Sequence, residues 1–153
     1  MHLNLASAAD TDALGAQLAA TRPQPAVVAL SGPLGAGKSS LARAMLRALG
    51  VTGAVRSPTY TLIERYAVPG GEALHLDLYR LGSASELEYL GLDDVGDCVL
   101  WLVEWPERGV GALPAIDLRV DLAIAGAGRS AELTALSRSG ECWLERLTLQ
   151  SAS

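Results

Sequence analysis

The 153-residue chain reads as an α/β protein. Three observations carry that expectation. A short apolar run, Ala26 to Leu30, enters a Gly-rich turn, and a segment of helical periodicity follows at once. A second apolar run, Cys98 to Val103, has the length of a strand buried on both faces. Further strand-like segments succeed the first helices, so the two element types are mixed along the chain. The length suits one compact domain over residues 1–153, and 50% hydrophobic with 19% charged residues supplies a core.

In chain order, Leu3 and Leu5 alternate with His2 and Asn4, a short strand signal. Capping residues in Ser7 to Asp12 open a helix carrying Leu14 and Leu18, which Pro23 and Pro25 end. Ala26 to Leu30 predicts a buried strand. Lys38 to Leu49 predicts a helix with an apolar stripe of Leu41, Met45, Leu46 and Leu49, stopped by Gly50. Thr59 to Val68 and Ala73 to Tyr79 flank Pro69-Gly70-Gly71 and predict a hairpin. Ser83-Ala84-Ser85-Glu86 is a capping-box pattern opening a short helix through Leu90, with Gly91 as its stop. Ile116 to Ala125 and Ala131 to Leu136, separated by Gly126 and Gly128, predict a late antiparallel hairpin.

Composition narrows the function. No apolar stretch approaches the roughly 18–20 residues that span a bilayer. Met1 to Leu5 has neither the basic nor the continuous apolar region of a secretory signal, so a cytoplasmic protein is expected. Cys98 and Cys142 are 44 positions apart with no zinc-ligand spacing, and reduced, packed thiols are expected. A net charge of −5 argues against a protein that holds nucleic acid by its own field. The 12 basic residues include a single lysine, Lys38, in a chain otherwise using arginine.

That lysine sits in Gly32-Pro33-Leu34-Gly35-Ala36-Gly37-Lys38-Ser39, which fits G-x-x-x-x-G-K-[ST] at every specified position. A chance match in a chain this size is on the order of 1%. The glycines let backbone N–H groups turn inward as an anion nest, and the following helix N-terminus favours negative charge. Lys38 supplies a compact charge for β- and γ-phosphates, a role for which the planar guanidinium is a poor substitute. The Ser39 hydroxyl suits a Mg²⁺ ligand. The N-K-x-D segment by which GTPases select guanine cannot exist here, because the one Asn is Asn4 and the one Lys is Lys38. Asp93-Asp94-Val95-Gly96 fits only the loose D-x-x-G pattern, so ATP is the expected nucleotide.

A metal on such a loop calls for an acid at the end of a neighbouring strand. In Leu74-His75-Leu76-Asp77-Leu78-Tyr79 the leucines share one face, and His75, Asp77 and Tyr79 the other, which suits either a site lining or a solvated edge strand. Glu104 ends the run Val99 to Val103, where open α/β sheets bind ligands. His75 by itself fits a structural, hydrogen-bonded histidine. Trp105 can cover the site or simply pack.

Four motifs together resemble the TsaE (YjeE) family, the P-loop ATPases of bacterial tRNA threonylcarbamoyladenosine biosynthesis. They are Gly32 to Ser40, Ser57-Pro58-Thr59-Tyr60-Thr61-Leu62, His75-Leu76-Asp77-Leu78-Tyr79-Arg80-Leu81 and Val103-Glu104-Trp105-Pro106-Glu107-Arg108, with Glu86-Leu87 and Leu90 to Asp93 between the last two. The match covers residues 7 to 114. The resemblance implies a P-loop NTPase-like three-layer fold, with a mixed, mainly parallel central sheet. It implies a Mg²⁺-dependent ATPase of low intrinsic activity that binds and resets the TsaB–TsaD heterodimer, whose TsaD subunit modifies a tRNA adenosine beside the anticodon. The cofactors so implied are ATP and Mg²⁺. The free chain is expected to be monomeric and to meet tRNA only through the complex.

Residue by residue, Ser39 and Glu104 match the family's metal ligands. Gly35, Ala36, Gly37, Lys38, Ser39 and Ser40 match its phosphate-binding stretch. Asp77 matches an acidic position needed for turnover, and Trp105 a site tryptophan. Ser57 to Tyr60 corresponds to a switch-like loop near the γ-phosphate, and Thr11 and Arg129 lie near the adenine by analogy. Lys38, Asp77 and Glu104 are thus the candidate catalytic residues. The chain departs from the family pattern at Pro33, usually acidic, and at Ser39, more often Thr. Neither change removes a required group. Two other readings stay open: a small-molecule kinase, which Arg80 and Arg108 keep in view although no segment after the loop looks like an Arg-bearing lid, and a nucleotide-gated binding module in which hydrolysis is incidental.

Overall fold

The computed structural model describes residues 1–90, 92 and 97–152. The proposed helix stop at Gly91 and the D-x-x-G segment at 93–96 lie outside the described residues. Seven described strands, β1 (His2–Leu5), β2 (Ala26–Ser31), β3 (Ile63–Val68), β4 (Gly71–Asp77), β5 (Cys98–Glu104), β6 (Leu118–Ala125) and β7 (Gly128–Ala135), form one sheet in the order β1-β7-β6-β2-β5-β4-β3. The central strands β6, β2, β5 and β4 pair in parallel. Both edges are antiparallel, with β3 on β4 on one side and β7 and β1 beyond β6 on the other. The mixed sheet and the late hairpin agree with the sequence.

Alternation along the central strands builds two cores. Ala26, Val28, Leu30, Leu100 and Leu102 point to the face covered by α1 (Ala8–Thr21), α2 (Lys38–Ala48) and α3 (Arg138–Ser151), where Leu18, Leu41, Met45 and Trp143 are fully buried. Val27, Leu74, Leu76, Trp101 and Val103 point to the other face, which carries Leu87 and the connecting segments. That third layer contains two short 3₁₀ turns, Ala84–Leu90 and Pro106–Gly109. The capping-box pattern at Ser83 therefore opens a 3₁₀ turn; the Ser83 hydroxyl pairs with Ser85 at 2.8 Å. Among the described residues no helix is long and apolar enough to cross a membrane.

Several boundaries differ from expectation, β6 for one starting at Leu118 instead of Ile116, and three of the differences bear on the hairpins. The hairpin strand β3 starts at Ile63 instead of Thr59, because the backbone turns back at Leu62, whose N–H donates to Pro58 O at 2.8 Å with φ +69°. On the same hairpin β4 ends at Asp77, whose carboxylate turns round to accept the Tyr79 N–H at 3.0 Å. The last strand, β7, reaches back to Gly128 and closes a tight turn onto Ala125.

The largest omission is α3, which the sequence reading did not anticipate. Its N-cap, Ser137, accepts the Gly140 N–H at 3.0 Å and donates to Asp117 at 2.7 Å, so the cap is anchored by a residue 20 positions away. Trp143 Nε1 donates to Leu18 O at 3.2 Å and Thr21 Oγ1 at 3.1 Å, and Arg146 donates to Thr21 O at 3.2 Å. These donors satisfy carbonyls that the end of α1 leaves without helical partners. Trp143→Ala is expected to destabilise the fold by about 3–5 kcal/mol, from lost burial plus the cavity it leaves. Trp143→Phe, which removes the N–H and part of the buried ring system but keeps an aromatic side chain, should cost less, about 1–3 kcal/mol. Urea unfolding followed by circular dichroism would measure both, and a small loss for Trp143→Ala would contradict the docking described.

Candidate functional site

The loop Gly32–Gly37 joins the carboxyl end of β2 to α2, so it opens beside the carboxyl ends of β4 and β5. Gly32 is demanded by close approach: a Cβ there would lie 2.3 Å from the Leu122 carbonyl oxygen of β6. Gly37, at φ +104°, turns the chain into α2 in a conformation that L side chains rarely adopt. The first N–H groups of α2, which carry no intrahelical partner, thereby face the loop.

Lys38 is 5% exposed. Its ammonium donates to Gly32 O at 2.6 Å and Pro33 O at 2.9 Å, and lies 4.5 Å from the centre of the Trp105 ring. Burial lowers its pKa from the ordinary lysine value, while Glu104, Asp77 and Glu107 pull in the opposite direction. Trp105 itself has left-handed backbone, φ +57°, immediately after β5. For a bulky side chain this is a strained position, worth on the order of 1–3 kcal/mol. It sets the indole over Lys38 and 5.0 Å from the Tyr79 ring.

The carboxylates occupy adjacent parallel strands in direct register, Asp77 opposite Glu104. Both are buried on the helical face, as is His75. The leucine and polar faces of this strand are as expected, and β4 lies between β3 and β5, which removes the solvated-edge alternative. Glu104 accepts the Ser39 hydroxyl at 3.0 Å from either carboxylate oxygen, and its Oε2 lies 2.6 Å from His75 Nε2. Asp77 accepts Thr59 Oγ1 at 3.2 Å and the Tyr79 N–H at 3.0 Å. Thr59 is in turn 2.7 Å from the Ser57 hydroxyl, so the Ser57–Tyr60 loop is tied to the site through Asp77.

Gly35, Gly37, Lys38, Ser39, Ser40, Asp77, Glu104 and Trp105 line one cleft of about 280 Å³, together with Leu34, Thr59 and Tyr79. A larger cavity of about 940 Å³ adjoins it and shares Gly35, Gly37 and Ser40. The carboxylates line the smaller one, which is where chemistry can occur. Thr11 and Arg129 line the larger one, and Arg129 Nε donates to Gly35 O at 3.0 Å. The side chain of Ala36 lies in the core, and its N–H donates to Pro33 O at 3.1 Å. Sequence reasoning missed Asp12, Arg43 and Arg47, which also line the larger cavity. The i, i+4 spacing of the two arginines opposite the apolar stripe was visible, but it does not distinguish a cavity wall from a solvated face. Cys98 and Cys142 are free thiols, and burial raises the Cys98 pKa.

Comparison with known proteins bears directly on this arrangement. Residues 5–131 match the family model described as threonylcarbamoyl adenosine biosynthesis protein TsaE. The tRNA threonylcarbamoyladenosine biosynthesis protein TsaE of Haemophilus influenzae is 43% identical over 116 residues, 75% of this chain and 73% of its own length. The Streptomyces coelicolor protein of the same description is 38% identical over 136 residues, 85% of this chain and 91% of its own. The crystal structure of Bacillus subtilis YdiB superposes with a TM-score of 0.81 at 28% identity, covering 99% of this chain and 95% of that one. The strand–loop–helix with its facing carboxylates is thus carried by a member of the TsaE family of tRNA threonylcarbamoyladenosine biosynthesis proteins.

Proposed function

We propose that the chain is a Mg²⁺-dependent P-loop ATPase that binds and resets the TsaB–TsaD heterodimer during modification of a tRNA adenosine next to the anticodon. The observation that carries the nucleotide part is the convergence of Lys38, Ser39, Asp77 and Glu104 on one cleft beside the N-terminus of α2. The partner rests on the family resemblance. The acidic balance supports contact with tRNA through the complex, and the free chain is read as a monomer.

The donor set fits a hard divalent ion. Ser39 and Glu104 offer oxygen ligands within 3.0 Å of each other. Among the described residues no group of three His, Cys, Asp or Glu side chains could hold a metal, so the protein would share the ion with substrate phosphates, as Mg²⁺ sites do. A bound Mg²⁺ supplies neutralisation of charge on the β- and γ-phosphate oxygens.

The chain's own groups do the rest. N–H groups at the start of α2 hold phosphate oxygens, and Lys38 exchanges its loop carbonyls for the β- and γ-phosphates. Asp77, the acid opposite Glu104, orients a water for in-line attack. The bond from that water oxygen to the γ-phosphorus forms as the bond to the ADP oxygen breaks, and the proton the water gives up passes to the departing phosphate or to solvent. Thr11 and Arg129 border the cavity available to adenosine. ATP is favoured because the chain lacks any Asn–Lys pair for reading guanine.

A nucleotide-gated module remains the second reading, favoured by the two protein donors that already engage Asp77. Repeated rounds of tRNA modification by TsaB–TsaD, with ATP or a non-hydrolysable analogue, separate the two. The ATPase reading expects the analogue to support association without multiple rounds. Equal support by both nucleotides would favour the module, and failure to associate with TsaB–TsaD under any nucleotide would overturn the partner assignment.

A further inference from the structure

His75 is 2% exposed and sits on the same sheet face as Glu104, one strand away. Its Nε2 lies 2.6 Å from Glu104 Oε2, a short distance for a hydrogen bond to a carboxylate. Its Nδ1 is buried with no hydrogen-bond partner. These facts orient the hydrogen bond: a carboxylate accepts, so Nε2 carries the hydrogen and donates. The reverse tautomer would set two acceptors against each other at Nε2 and bury an N–H at Nδ1 with nothing to accept it. Glu104 is therefore gripped from two sides, by Ser39 from α2 and by His75 from β4. A buried glutamate has three rotatable bonds, and two directional contacts hold one of its rotamers.

We infer that His75 is a positioning residue for the divalent cation: it fixes the carboxylate plane of Glu104 so that a metal-facing oxygen is presented beside Ser39. This rests on the Mg²⁺ reading above and deepens it. His75 takes one lone pair of Oε2, which would leave Oε1 the freer oxygen for a cation beside Ser39. Partners one step removed from a metal typically change its affinity 10–100-fold.

The test is Mn²⁺ affinity by electron paramagnetic resonance, in the presence of a non-hydrolysable ATP analogue, with metal-free analogue affinity measured alongside. His75→Leu removes the donor. His75→Asn moves it to the Nδ1 position, out of reach of Glu104. His75→Gln returns an N–H close to the Nε2 position. Mn²⁺ affinity is expected to fall at least 10-fold in the Leu and Asn variants and to stay within about 3-fold in the Gln variant, with metal-free affinity unchanged in all three. Should the Leu variant fail to fold, by circular dichroism, the Asn and Gln pair carries the same comparison. Wild-type Mn²⁺ affinity in a folded Leu or Asn variant, with Glu104→Gln impaired, would overturn the His75 role alone. No metal dependence in the wild type, or none lost in Glu104→Gln, would overturn the metal reading and this inference with it.

Discussion

Lys38→Ala is expected to slow single-turnover ATP hydrolysis by roughly 10²–10³-fold, or about 2.7–4 kcal/mol, the usual consequence of removing one preorganised donor from a developing anion. The lysine is buried, faces the same cleft as both carboxylates and is the only ammonium side chain in the sequence, so no neighbour can replace it. Lys38→Arg should not rescue the rate. Its planar fork spreads the charge that the lysine concentrates in one ammonium held by two loop carbonyls.

The loss should not be a folding defect, and pH provides the check. Burial lowers the Lys38 pKa, so across the window between its folded value and its unfolded value near 10.4 the unfolded chain binds more protons. Stability attributable to this group therefore rises with pH through that window and is lost as pH falls through the folded pKa. That alkaline gain should be missing from denaturation curves of Lys38→Ala. A variant that hydrolyses ATP like the wild type would remove Lys38 from the site.

Glu104→Gln is the second large expectation. The amide keeps the shape of the side chain and can still accept from His75, but it offers no negative charge beside Ser39. Loss of partners one step removed from a metal costs 10–100-fold in affinity, so loss of the direct carboxylate should cost at least as much, on the order of 10²-fold. The Mg²⁺ concentration for half-maximal hydrolysis should rise accordingly, while metal-free nucleotide binding changes little. An unaltered Mg²⁺ profile would mean that Glu104 faces the cleft for another reason. Because Glu104 is 2% exposed, urea unfolding of the same variant tells loss of metal from loss of fold.

Much of this site is legible in the sequence alone. The Gly32–Ser39 loop is local in sequence, because strand, turn and helix N-terminus are consecutive and the nest is made of their own backbone. The polar face of β4 followed from two-residue alternation, and Glu104 from its place at the end of an apolar run. The hydrogen bond from His75 to Glu104 was not legible, since 29 residues separate them and only the parallel pairing of β4 with β5 makes them neighbours. Arg129 is further removed still, reaching Gly35 across 94 positions through the order of the sheet.

The fold divides along the same line. Composition, periodicity and motif spacing by themselves determined an α/β chain with buried central strands, a Gly-rich strand-to-helix loop and a late hairpin, because these depend on neighbours within a few residues. The tertiary structure alone decided the start of β3 at Ile63, the docking of α3 and the double grip on Glu104. The β3 boundary depends on a left-handed turn at Leu62 that pattern does not encode. The C-terminal helix is fixed by Asp117 at its cap and by the carbonyls of α1 that receive Trp143 and Arg146. The turn at Leu62 is local but needs a positive φ in a residue that does not advertise it, whereas the other two share one physical reason: a hydrogen bond between distant segments stabilises only after the chain entropy of bringing them together has been overcome by burial of the whole sheet.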